Sequence, residues 1–391
     1  MSRRRFLAAV CGGLAALPLG DATRRLGATG LGAARRGRRE GAPRTRAASE
    51  PGERSLRERA AAKGLFFGCA TTEAVLARDP AFAERVAAEC GLLVPESELK
   101  WNRVHPEPGR FVFGPADRLD AFAAAHRMMF RGHVLLYFMT DPAWATAGPA
   151  PSVERAVRDH IRAVAGHYAG RMQSWDVVNE ILELGDRRTD GLRATPLLRA
   201  LGPEYVALAF EAAAAADPKA LLVWNDNQLE YDLPYQGARR EAALRLLEGW
   251  RAAGVPIHAL GIQSHLRAHG GKFDGRRYRE FLAEVARLGA SVILSELDVF
   301  DADLPADPAR RDPAVAGAYE EYLDAALDEP AVLGVVTWGL SDRYTWLAGY
   351  KPRVDGARAR PLPYDESLRP TAAWYAIARA LDAAPRRKAG T

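Results

Sequence analysis

The chain is predicted to fold as an α/β protein, a closed (β/α)8 barrel of the TIM type in a single domain. Two observations predict it. From Gly64 onward, short β-rich runs alternate eight times with longer amphipathic stretches. That pattern implies a parallel sheet joined by helical crossovers, and eight such units close a barrel. The runs are also continuously apolar rather than alternating, as strands covered on both faces must be.

The strand runs are Leu65–Ala70, Leu92–Pro95, Gly132–Phe138, Ser174–Asn179, Leu221–Asn225, Ala259–Ser264, Val292–Leu297 and Leu333–Trp338. Helices are expected at Ala81–Glu89, Asp117–Met128, Ser152–Ala169, Pro203–Ala215, Ala238–Ala253, Arg277–Leu288, Val315–Leu327 and Thr371–Leu381. A doubly wound open sheet is the alternative. It would place a Gly-rich phosphate loop after the first strand, and Gly68-Cys69-Ala70-Thr71-Thr72 is not one.

Upstream of the barrel (residues 61–385) two further segments are expected. Residues 1–22 read as an export signal: Arg3-Arg4-Arg5-Phe6-Leu7 opens it, and an apolar run too short to span a bilayer follows. The Ser-Arg-Arg-x-Phe-Leu arrangement is of the twin-arginine type, with a general secretory signal as the alternative. Residues 23–60 are rich in Arg, Ala and Gly and read as a disordered linker, because they cannot bury enough surface to offset ordering entropy. The formal charge of +5 belongs to this upstream part. Residues 1–50 hold 11 basic and 3 acidic residues, and the remainder holds 43 basic and 46 acidic. The body therefore has no electrostatic case for nucleic acid. No later stretch approaches 18 apolar residues, so no membrane association is expected beyond the export signal. With Cys11 in the leader, only Cys69 and Cys90 remain, as a pair or as two free thiols.

Active sites in this fold lie at the C-terminal ends of the strands. Those ends carry Glu96, Glu98 and Lys100; His133; Asn179 and Glu180; Asn225 and Asp226; Gln263 and His265; Glu296 and Asp298; Trp338 and Asp342. So many polar groups on one rim suit a polyhydroxylated ligand. Glu180 and Glu296 end the fourth and seventh strands, on opposite walls of the mouth. Paired carboxyls there fit glycoside hydrolysis, in which one protonates the leaving oxygen and the other attacks the anomeric carbon. No metal or other cofactor is expected: His133 and His265 lie on different strands without a third ligand, and this chemistry requires none.

Together these segments resemble glycoside hydrolase family 10, the endo-β-1,4-xylanases, over about residues 64–382. The marks are Glu98-Leu99-Lys100-Trp101, His105-Pro106-Glu107-Pro108-Gly109, Arg131-Gly132-His133, Trp175 to Glu180 and Asn225-Asp226. Gly261 to His265, Ser295 to Asp298, Thr337-Trp338-Gly339 and Asp342 to Trp346 complete them, in the family's order. The resemblance implies a retaining enzyme that cuts internal β-1,4-xylosidic bonds by double displacement, with Glu180 as acid/base and Glu296 as nucleophile. It further implies that His265, oriented by Asp298, bonds the nucleophile, and that Asn179 bonds the 2-hydroxyl of the sugar at the cleavage point. Glu98, Lys100, His133, Gln263, Asn225 and Tyr137 are expected around the sugars, and Trp338 and Trp346 as platform and roof. The implied partner is a polysaccharide, xylan or a related β-glycan, bound by a monomer.

Three places depart from the family pattern. Ser97 stands where a sugar-binding asparagine is usual, and Tyr137-Phe138-Met139-Thr140 replaces a Trp-His-Ser-Gln stretch. Asn227 replaces a tyrosine that stacks on the leaving-side sugar, with Tyr231 the nearest aromatic to take its place. The losses cluster on the glycone side, so an exported retaining hydrolase for a decorated or different β-glycan is the second reading. A barrel that only binds glycans is the third, but a pure binder needs no intact set of Glu180, Glu296, His265, Asp298 and Asn179.

Overall fold

The computed structural model describes residues 54–269 and 271–387; the export signal, Cys11 and most of the expected linker lie outside them. Among the described residues ten strands form the sheet. They are β1 (Phe66–Thr71), β2 (Leu92–Pro95), β3 (Met129–Gly132), β4 (Leu136–Tyr137) and β5 (Met172–Asn179). After them come β6 (Leu221–Asp226), β7 (Ala259–Ile262), β8 (His265–Arg267), β9 (Ser291–Phe300) and β10 (Val332–Thr337). All pairings among them are parallel, in the order β1-β2-β3-β5-β6-β7-β9-β10. β10 returns to β1 with Phe66 opposite Gly334 and Cys69 opposite Thr337, which closes the barrel. β4 continues the third stave along β5, and β8 continues the sixth along β9. Eight staves result, as expected.

Two apolar layers hold it together. Inside the barrel Phe66, Ala70, Leu92, Val94, Val223, Ala259, Ile293, Val336 and Trp338 pack on one another. A larger layer lies between the staves and the surrounding helices. Close packing fixes residue size at Gly132, where a β-carbon would come within 2.1 Å of the Trp175 ring. The helices start where the chain supplies caps. Asp79, Asp274 and Thr371 accept N–H bonds from the first turns of Pro80–Glu89, Gly275–Arg287 and Ala372–Ala383, satisfying donors the helix cannot.

Three expectations need correction. The third strand is not continuous from Gly132 to Phe138: the chain leaves the ladder at His133, whose ring turns to Asp176 on β5, and rejoins it at Leu136. The helix expected from Val315 runs from Pro308 to Ala326, because Asp307 caps it and Pro308 suits a first turn, while Pro313 is tolerated inside. Residues 55–60, placed in the linker, belong to the body. Helix Leu56–Ala61 opens with a capping box between Ser55 and Glu58, and Leu56 and Ala60 are fully buried. Cys69 and Cys90 are buried free thiols; burial and the neighbouring Cys69 push the Cys90 thiol up.

Candidate active site

Glu180 follows the last residue of β5 with φ of +54°, a left-handed backbone that non-glycine residues seldom adopt. Its N–H donates to the Asn225 carbonyl (2.9 Å) and its own carbonyl accepts from Arg193 Nε (2.7 Å), so the turn is pinned from both sides. The partly buried side chain reaches the barrel mouth. There Oε1 accepts from Gln263 Nε2 and from the Tyr137 hydroxyl, both at 3.1 Å. Glu296, on β9, is 5% exposed. Its Oε1 accepts from Asn225 Nδ2 (2.7 Å), and its Oε2 lies 3.4 Å from His265 Nε2.

Amide side chains connect the two carboxyls. Asn225 Nδ2 also donates to Asn179 Oδ1 (2.9 Å), and Gln263 Nε2 reaches the same oxygen (3.3 Å). Ser295 Oγ donates to Asn225 Oδ1 (2.5 Å). Both N–H donors and the oxygen of Asn225 are thus bound to protein, so this residue orders its neighbours rather than facing a sugar as expected. Asn179 takes two donors on its oxygen, and among the described residues no acceptor is bonded to its Nδ2, which is open to a ligand.

The electrostatics separate the carboxyls. Burial pushes the Glu180 carboxyl above the usual range; Gln263 opposes this, while Glu296 and Asp226 add to it. Burial would raise Glu296 too, but His265, His133 and Asn225 outweigh it and hold Glu296 below the usual carboxylate range. One carboxyl that keeps its proton beside one that loses it is the division of labour of an acid and a charged partner. His265 sustains it. Burial would lower the imidazole, yet Asp298 and Glu296 hold it well above the ordinary histidine value. Its Nδ1 is 2.8 Å from Asp298 Oδ1, and Asp298 Oδ2 accepts from Trp346 Nε1 (2.7 Å).

Around this centre, His133 is bonded through Nδ1 to Asp176 (3.0 Å) and lies edge to face with Trp338, ring centroids 5.1 Å apart. The Trp346 ring is 5.2 Å from that of His265. Lys100 is partly buried next to Glu96, whose charged form it favours. Glu98 is turned away: its carboxylate accepts from the backbone N–H of Glu73 (2.9 Å) and of Ser97 (3.2 Å). Glu96 is the carboxyl that faces Lys100, His133 and Glu296; burial pushes it up. The sequence places Glu96 on the rim, but the sugar-binding role expected in this Glu-x-Glu-x-Lys segment was assigned to Glu98. Arg193 was missed, and no motif signals it; it also stacks 4.4 Å over the Phe138 ring. Tyr231 does not replace the absent tyrosine, being buried with its hydroxyl tied to the backbone of Arg267. Among the described residues no group of three or more His, Cys, Asp or Glu is arranged to hold a metal ion.

Comparison with known proteins places this arrangement. Endo-1,4-beta-xylanase 2 of Claviceps purpurea is 35% identical over 317 residues, covering 80% of this chain and 86% of that protein. The beta-1,4-xylanase of Dictyoglomus thermophilum is 33% identical, covering 73% and 81%. Among solved structures, native xylanase 10B of Thermotoga maritima superposes with a TM-score of 0.76 at 29% identity, covering 84% of this chain and 98% of that one. Xylanase 10B of Thermotoga petrophila, in complex with xylobiose, also gives 0.76, at 28% identity and 85% and 99% coverage. The sequence profile of glycosyl hydrolase family 10 matches residues 55–380, nearly the whole barrel, and the chain belongs to that family.

Proposed function

We propose that this protein is a retaining endo-β-1,4-xylanase with Glu180 as acid/base and Glu296 as nucleophile. The observation that carries the reading is the pair of carboxyls in one mouth, with opposite protonation preferences and joined by Asn179, Asn225 and Gln263. Glu180 gives its proton to the leaving glycosidic oxygen as Glu296 attacks the anomeric carbon, leaving a glycosyl ester on Glu296. Glu180, now a carboxylate, takes a proton from water, and that water displaces Glu296. His265, held by Asp298, keeps Glu296 charged and oriented throughout. The free amide donor of Asn179 suits the sugar 2-hydroxyl, and Lys100, His133 and Glu96 border the glycone side.

Incubation with xylan, with the anomeric proton followed from the first turnover, tests this. A β-configured first product is expected, because two inversions occur; an α product overturns the mechanism. Glu296→Ala should lose activity by several orders of magnitude and regain part of it with azide, giving the inverted product.

A second reading keeps the mechanism and changes the glycan. The Thr140 hydroxyl donates to the Tyr137 carbonyl (3.2 Å), so its one hydrogen is committed and it offers a sugar no donor where the family has glutamine, and Ser97 is shorter than asparagine. The room left suits a substituted sugar.

The reading also includes export. Residues 1–22 act as a twin-arginine-type signal, and 23–60 as a linker save for the last residues that join the barrel. Support comes from Arg3, Arg4, Phe6 and Leu7 and the short apolar run behind them. Lysine at positions 3 and 4 keeps the charge, so export that survives the double change points to the general secretory route.

A further inference from the structure

We propose that Tyr137 is a positioning residue for Glu180: with Gln263 it occupies Oε1 of that carboxyl, so that the transferable proton is carried by Oε2. The inference rests on Glu180 being the acid/base, as proposed above.

Tyr137 ends β4 directly opposite Asn179, which brings its ring to the next residue, Glu180. Its backbone is fixed by a tight turn. The Tyr137 N–H donates to Asp141 Oδ1 (3.0 Å), and its carbonyl accepts from the N–H of Thr140 (2.7 Å) and of Asp141 (2.9 Å). The hydroxyl therefore has little freedom of position, and it lies 3.1 Å from Glu180 Oε1 and 2.9 Å from Met139 Sδ. It has one hydrogen and two acceptors. A carboxyl oxygen is much the stronger acceptor, and burial together with Glu180 and Glu296 keeps the phenol protonated.

Two donors thus converge on Oε1, while among the described residues no protein donor reaches Oε2. A proton on Oε1 would leave that oxygen too few lone pairs for both donors, so that either the Gln263 N–H loses its acceptor or the tyrosine hydrogen swings over to Met139. A proton on Oε2 disturbs neither bond and is free to meet a leaving oxygen. The other groups that act on Glu180 are Glu296 from β9, Asp226 from β6 and Arg193 from the loop after β5. All of them are retained in the variants at Tyr137 and Met139.

The test compares kcat/KM on two aryl β-xylobiosides, one with a poor leaving group that needs the acid and one with an activated group that does not. Tyr137→Phe should lower the first by roughly three- to tenfold more than the second. It should also move the alkaline limb of the pH profile to higher pH, because the carboxylate loses a donor. Met139→Leu should move that limb the other way, since the hydroxyl then has one acceptor. Equal losses on both substrates, or limbs that stay in place, overturn the role of Tyr137. Glu180→Ala separates the two claims: full activity on the poor leaving group overturns the acid/base reading itself. Loss of that activity, beside a silent Tyr137→Phe, overturns only the inference about Tyr137.

Discussion

His265 has no role in bond making, yet it sets the charge on which the proposed nucleophile depends. Asp298 and Glu296 outweigh its burial and favour its protonated form, and it in turn holds Glu296 below the usual carboxylate range. His265→Ala removes that cation, so the Glu296 carboxyl should rise and the acid limb of kcat/KM should move to higher pH. A hydrogen bond to a charged group is worth about 1.5–3 kcal/mol, which corresponds to a loss of roughly ten- to hundredfold on the plateau; an unmoved acid limb would show that His265 does not govern Glu296. Ser97 gives a gain-of-function counterpart. Ser97→Asn restores a longer arm on the glycone side and should raise activity on plain xylo-oligosaccharides by a few-fold, measured against a substituted xylan on which no gain is expected. At this scale the sequence was legible for most residues that sit in a strand, because strand direction fixes which way a side chain faces, though not what it bonds. It was not legible for Glu98 and Glu96, since loop geometry decides which of two nearby carboxylates turns inward. Neither did it reveal that Asn225 is bound wholly by protein.

The elements were easier to read, for a physical reason: buried strands and amphipathic helices each leave a periodic trace, while chain breaks and short caps do not. The break at His133, the early start of the helix at Pro308 and the first helix are the three failures. Helix Leu56–Ala61 has only six residues, too few for periodicity to register, and its stability comes from tertiary contacts. Leu56 is fully buried, and its N–H donates to Glu89 Oε2 (2.9 Å). The same carboxylate accepts from the Tyr364 hydroxyl (2.8 Å) and Trp374 Nε1 (3.2 Å). Glu89 therefore ties the first helix to the last one at the foot of the barrel. Leu56→Ala should lower stability by about 2–5 kcal/mol, whereas Ser55→Ala, which removes the cap alone, should cost about 1 kcal/mol. Urea unfolding of both variants checks the order; equal effects would mean that the helix is held by its cap rather than by its packing.

For the whole molecule the dependence of stability on pH follows from buried groups that titrate in opposite senses. Glu96, Glu180 and Glu230 are pushed up by burial, so on acidification the native state takes up their protons before the unfolded chain does and gains stability from them. His160 acts the other way. It is fully buried, stacked on Trp101 with centroids 4.1 Å apart, and 5.6 Å from the His105 ring. Its Nε2 bonds the Leu135 carbonyl at 3.1 Å, and burial, helped by His105, holds it well below the ordinary histidine value. In the unfolded chain the same imidazole takes up a proton near pH 6.5. As the pH falls below that point the unfolded state binds a proton the native state refuses, and stability is lost at up to about 1.4 kcal/mol per pH unit. A single pH curve mixes these contributions, so the difference between two proteins is the informative quantity. His160→Phe keeps an aromatic ring in the stack and removes the Nε2 bond to the Leu135 carbonyl, which should cost about 0.5–1.5 kcal/mol at pH 8. The variant has no imidazole to protonate, whereas the carboxylates are the same in both proteins. Its deficit, measured by urea unfolding, should therefore narrow between pH 8 and pH 5.5. A deficit that stays constant across that window would mean that His160 accepts its proton in the folded barrel as readily as in the unfolded chain.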